Sequence, residues 1–201
     1  MGQDFTKDKE QDRQSTFTQR ARRAQIIDVT IELLAEHGFS GVSLSQIADS
    51  AGVTKPTVLY HFTDKATLVR GAYQHVLDAM VESVGEAVAS AEVAERPSVY
   101  VRSIVAHFIS HRSHSRLSVE ALIHGEVRTG SSARWKPVAE LLRSAREARG
   151  VEGPSDSRTA ALIIGGAIDA VVGEALEDPG YDAVAASEEI VDLVEQRFLT
   201  D

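Results

Sequence analysis

No cysteine occurs among the 201 residues, which removes disulfides, thiolate metal sites and cysteine nucleophiles from consideration. Five prolines and an aromatic content of 5% argue against a β-rich or disordered chain and leave a helix-leaning globular protein as the base expectation. Long hydrophobic runs are also scarce, none being read as reaching the roughly 18 apolar residues that a bilayer span requires. Residues 1–19 are polar and charged, without the apolar stretch of a secretory leader. The expectation is a cytoplasmic chain with no membrane partner. Catalytic signatures are absent too: there is no Walker loop, dinucleotide fingerprint, nucleophile elbow or zinc-protease motif. The chain is therefore not read as an enzyme, and no cofactor or metal is assigned to it.

What is present is apolar periodicity and an uneven charge. Hydrophobic residues make up 43% and charged residues 25%, enough for a buried core in one large domain or two smaller ones. The net charge is −9, but residues 1–65 hold 8 Lys and Arg against 9 Asp and Glu, whereas residues 66–201 hold 13 against 21. The near-neutral first part can cluster Arg20, Arg22, Arg23, Lys55 and Lys65 on one face. Local field rather than net charge governs attraction of phosphates.

The charge-alternating residues 1–19 read as a flexible arm. From Arg20 onward Ala24, Ile27, Ile31 and Leu34 follow the spacing of a one-faced helix, with Gly38 where a left-handed C-terminal cap belongs. Ser43 and Gln46 form a capping box for a two-turn second helix carrying Leu44, Ile47, Ala48 and Ala51. Gly52 and Val53 make a tight turn, Thr54 caps a third helix, and Pro56 falls in its first turn, where a missing amide hydrogen costs little. Three such helices can enclose a small core and leave the third presenting a polar face, which is the arrangement of a helix-turn-helix module. Thr54, Thr57 and Lys55 suit base edges in a major groove; Tyr60 and His61 suit phosphates at its wall, and the amides opening the fourth helix, with Lys65, form an anion site.

The run from Gly52 to Leu68, GVTKPTVLYHFTDKATL, resembles the recognition region of the TetR family. Ile26-Ile27, Leu33-Leu34, His37-Gly38-Phe39, Val42-Ser43-Leu44 and Ile47-Ala48 extend the resemblance over about residues 20–68. It implies an all-α protein: a DNA-binding head over 20–66 and a ligand-binding and dimerisation bundle over 67–201, about nine helices in all. Carried over by position, it implies DNA contacts at Thr54, Lys55, Thr57, Tyr60, His61 and Lys65, with Arg23 and Ser43 on phosphates. Pro56 and Leu59 depart from the family's common residues. The implied function is a repressor that binds a pseudo-palindromic operator in double-stranded DNA and is released by a small-molecule effector. The alternative is a helical small-molecule-binding protein that has lost operator binding.

The second part offers composition rather than motifs. The fourth helix is read as long, with Leu68, Tyr73, Val76, Leu77, Met80, Val84 and Val88 in its stripe; a fifth starts at Pro97 and runs to about Arg112, a sixth spans Leu117 to Arg128, and Ser131 to Lys136 leads into a seventh ending near Gly150. The eighth, Thr159 to Leu176, is apolar nearly all round and is expected to be buried on several sides. Its small residues Ala161, Gly165, Gly166, Ala167 and Ala170, with a last helix over about Val184 to Leu199, suit a four-helix interface between two copies. His107, Phe108, His111, His114, Glu120, His124, Arg128 and Trp135 are candidate ligand-lining residues. His107 and His111, at i and i+4, lack an identifiable third metal ligand.

Overall fold

A computed structural model of the chain describes residues 4–124, 131–152 and 156–200, with side chains over 17–119, 135–152 and 156–200. Among the described residues there are nine α-helices and no strand: α1 Asp4–Gly41, α2 Leu44–Ser50, α3 Lys55–His61, α4 Lys65–Ser90, α5 Arg96–Ser110, α6 Arg112–His124, α7 Ser131–Arg149, α8 Ser157–Glu177 and α9 Ala183–Leu193. The chain divides into two compact units, Met1–His75 and Val76–Asp201. Helix α4 runs through the boundary.

In the first unit, α1 opens at Asp4 rather than at Arg20. Residues 4–19 contain neither Gly nor Pro, and seven of the sixteen are Lys, Glu, Gln or Arg, residues that lose little rotamer freedom in a helix, so nothing in the segment breaks a helix even without an apolar stripe. At Gly38 the backbone turns, with φ 69° and ψ 172°, a region open to essentially only glycine. The α2 to α3 turn pivots on Gly52, φ 62°, with the Val53 amide reaching back to the Ala48 carbonyl at 2.9 Å as in a Schellman closure. Ile26, Leu34, Ile47, Val58, Phe62 and Leu68 are all buried in this unit.

The second unit is a helical bundle. Its core draws Val101, Ile104 and Val105 from α5, Val138 and Leu142 from α7, Ile164 and Ile168 from α8, and Ile190 and Val194 from α9 and the turn after it. Ion pairs tie α5, α7 and α9 at the rim. Arg149 donates to Glu195 at 2.5 Å and to the Ala94 carbonyl at 2.7 Å, Ser98 donates to Glu195 at 2.5 Å, and Arg102 grips Glu188 with two 2.7 Å bonds. The Arg149 guanidinium holds the Glu195 carboxyl below its ordinary range.

Three expectations for this unit are corrected. Helix α6 starts at Arg112, five residues before Leu117, because α5 breaks at His111 (φ −124°, ψ 72°) and the polar run Arg112 to Arg116 carries no apolar signal. Helix α8 buries only one side: Ala160, Ala161, Ile164, Ile168 and Val172 face the core, whereas Leu162 and Ile163 stay 51% and 46% exposed. Over its 21 residues α8 also has the length and apolarity to cross a membrane, the only such helix among the described residues, contrary to the reading that no segment reaches that mark.

Candidate functional site

Helix α3 is held by its two inner residues. Val58 and Phe62, one turn apart, are 0% and 1% exposed and anchor the helix to the first unit's core. The opposite side is thereby turned outward: Thr54, Lys55, Pro56 and Tyr60 are exposed and Thr57 is half-buried, with Tyr60 at 72%. The entry to α3 is organised by Thr54, whose Oγ1 accepts from the Thr57 amide at 3.3 Å and lies 2.8 Å from the Thr57 hydroxyl. The capping box expected at α2 is formed, Ser43 Oγ accepting from the Gln46 amide at 3.2 Å and the Gln46 side chain from the Ser43 amide at 2.8 Å.

Cations gather at the other end of α3. The Arg23 guanidinium lies 4.8 Å from the Phe62 ring centroid, within cation–π range. Arg22 donates to Gln25 at 2.9 Å, and Gln25 in turn donates to the Ala51 carbonyl at 3.0 Å, fastening α1 to the end of α2. His61, edge-on to Tyr60 at 5.1 Å, has its pKa lowered by burial first and then by Arg23 and Arg22. Arg22 therefore joins this group, a residue that motif matching passed over although the cation count included it.

The anion site expected at the start of α4 is not assembled. Asp64 Oδ1 accepts the Thr67 amide at 2.7 Å, which holds its carboxyl below the ordinary range and fills the helix terminus with a negative charge of the protein's own. Lys65 Nζ donates to the Phe39 carbonyl and sits 4.1 Å from the Phe39 ring centroid. That leaves two of its three ammonium hydrogens for other acceptors.

The second unit holds the other candidates, dispersed over three settings. His107 is buried at 5% exposure, and neither ring nitrogen meets a hydrogen-bond partner in the protein. Leaving such buried groups unsatisfied costs about 1–3 kcal/mol each. Burial foremost, then the neighbouring His111 and His114, lower its pKa to about 4. The His111 ring stacks on His107 at 4.6 Å and on His114 at 5.0 Å. Phe108 instead lines a separate cleft of about 160 Å³, with Ile109, Arg112, Ser115, Leu176 and Tyr181 on its walls. Trp135 packs half-buried against the core, with the Arg158 guanidinium 5.2 Å from its ring centroid. The side chains of Glu120, His124 and Arg128 lie outside the described residues. Among the described residues no group of three or more His, Asp or Glu is placed to hold a metal ion. Asp169 is exposed on α8.

A capped recognition helix on a three-helix head, followed by a helical bundle, defines a helix-turn-helix transcriptional regulator. Residues 26–72 match the family described as bacterial regulatory proteins, tetR family. The chain is similar to that family over these 47 of its 201 residues. It is 25% identical to the HTH-type transcriptional regulator AcrR of Shigella flexneri, over 88% of this chain and 89% of that protein. It superposes on the fatty acid degradation regulator FadR of Bacillus halodurans with a TM-score of 0.74 at 25% identity, covering 88% and 97% of the two chains. Its fold also matches FadR of Bacillus subtilis, solved in complex with stearoyl-CoA, with a TM-score of 0.76 at 21% identity over 86% and 97%.

Proposed function

We propose that the chain is a ligand-responsive repressor, acting as a homodimer on a pseudo-palindromic operator in the bacterial cytoplasm. The observation that carries this reading is the outward face of α3: Val58 and Phe62 hold the helix while Thr54, Lys55 and Tyr60 stay exposed beside the Arg22 and Arg23 cations. In a major groove Thr54, Lys55 and Thr57 reach base edges near the N-terminus of α3, and Tyr60, His61, Arg23, Ser43 and Lys65 reach phosphates. Dimerisation uses the faces of α8 and α9 that the single chain leaves exposed. Leu162, Ile163, Val184 and Leu193 provide apolar area, and the exposed Gly166 and Ala170 let helices approach closely.

The two recognition helices then stand roughly 34–36 Å apart, one turn of DNA. A ligand in the second unit favours another spacing, and α4, continuous through both units, carries the shift. Turning a mostly bound population into a mostly released one takes roughly 5 kcal/mol of differential affinity. By reciprocity, operator DNA weakens ligand binding by the same factor. That two similar proteins are fatty acid regulators does not fix the effector here, whose chemistry must follow from this chain's own side chains. Genomic fragments selected by the purified protein, followed by mobility shift on DNA flanking its own gene, test the reading. A salt-sensitive, sequence-selective shift with a two-fold related site is expected, whereas no selective fragment would leave a ligand-binding protein without an operator.

A further inference from the structure

Polar groups gather where α5 gives way to α6, from the buried His107 out to the exposed His111. His107 stands near the end of α5, His111 at the break after it, and His114 and Ser118 one turn apart on α6. His107 shares its helix with the core residues Ile104 and Val105. Both nitrogens of the buried His107 and the buried Oγ of Ser118 lack partners within the protein. His111 Nδ1 donates to the His107 carbonyl at 2.9 Å, which in the neutral ring makes Nε2 the acceptor. Buried polar groups in folded proteins are partnered as a rule, and here the partner has to come from outside the chain.

We propose that His107, His111, His114 and Ser118 hold the effector by an uncharged hydroxyl-type group on a flat aromatic body. The proposal rests on the reading of the chain as a ligand-responsive regulator and deepens it. The group is uncharged because the imidazole of His107 is neutral and offers one donor and one acceptor, and because, among the described residues, the charges that bear on it come from His111 and His114 and include no carboxylate, Lys or Arg. Arg112, the guanidinium next in sequence to His111, is exposed and donates to the Leu176 carbonyl at 3.1 Å. An ammonium buried at His107 would have no counter-charge among these groups, and a carboxylate would gain one only once an imidazole has taken up a proton. The body is aromatic because the histidine faces already stack at 4.6 and 5.0 Å and Phe108 meets His107 edge-on at 5.5 Å, surfaces that suit one more ring. A metal ion fits poorly, since the stacked rings are within 24° and 20° of parallel and do not converge on one point.

The test uses the full-length protein and three probes of one shape, 2-naphthol, 2-naphthoate and naphthalene, with stearoyl-CoA as a fourth. Binding is read by calorimetry and by the imidazole nitrogen resonances of His107. We expect 2-naphthol to bind at least about tenfold more tightly than the other three and to shift the His107 nitrogens. His107→Leu loses that tenfold, Ser118→Ala loses part of it, and His107→Gln, which keeps a donor and an acceptor, retains most. Equal or tighter binding of naphthoate, naphthalene or stearoyl-CoA overturns the proposal, as does naphthol binding that leaves the His107 resonances unmoved or no binding at all. Operator affinity is measured in parallel. Naphthol seated at His107 without effect on operator binding would sustain this site and sink ligand-driven release, while intact operator binding with no naphthol binding would sink this site alone.

Discussion

His107 carries a pH dependence that follows from its surroundings. Its pKa is lowered to about 4 in the folded chain, against about 6.5 in an unfolded one. A histidine depressed on folding takes up its proton more readily when unfolded, so stability is intact above about pH 6.5 and is lost as pH falls toward about 4. The loss is at most about 3 kcal/mol. Urea unfolding at about pH 7 and pH 4.5 should show most of that difference in the wild type and little of it in His107→Gln; equal losses in both would remove His107 as the cause. At this scale the sequence revealed the outward residues of α3, because caps and turns are local. The histidines of the cluster were legible, His107 and His111 as an i, i+4 pair and His114 beside them, whereas Ser118 joins them across a break that periodicity does not mark.

Helix ends explain which elements could be read. Ser43, Gln46, Thr54, Pro56 and Pro97 each announce a helix start by a local hydrogen bond or a missing amide, and α2, α3 and α5 begin within a residue or so of where those signals stand. The starts of α1 and α6 were misplaced because their first turns are polar and uncapped by any such signal. The two glycine turns of the head differ in kind. Gly38 (φ 69°, ψ 172°) sits where a side chain is essentially forbidden, whereas at Gly52 (φ 62°) a Cβ would meet nothing within 4 Å. Gly38→Ala should cost up to about 3 kcal/mol and Gly52→Ala about 1–2 kcal/mol, measured by chemical denaturation. The reverse order would contradict the strain assigned to the turn after α1.

For the molecule as a whole, the sequence conveyed an acidic bundle behind a neutral head but not which side of α8 is free. An apolar helix reads the same whether its second side meets its own chain or another copy, and only the exposure of Leu162 and Ile163 separates the two. Ile163→Glu is expected to yield monomers in sedimentation and, having lost the paired heads, to weaken operator binding by roughly a hundredfold or more.

The most direct measurement is a titration of fluorescent operator DNA with the wild type and with Lys55→Ala/Tyr60→Ala, repeated from low to moderate salt. Wild-type affinity should fall by roughly 10³-fold or more between about 50 and 200 mM salt if six or more phosphates are contacted. The double variant should lose about 100-fold at every salt concentration while sedimenting as the same dimer. Wild-type affinity in the variant, or binding indifferent to salt, would contradict the placement of α3 against DNA.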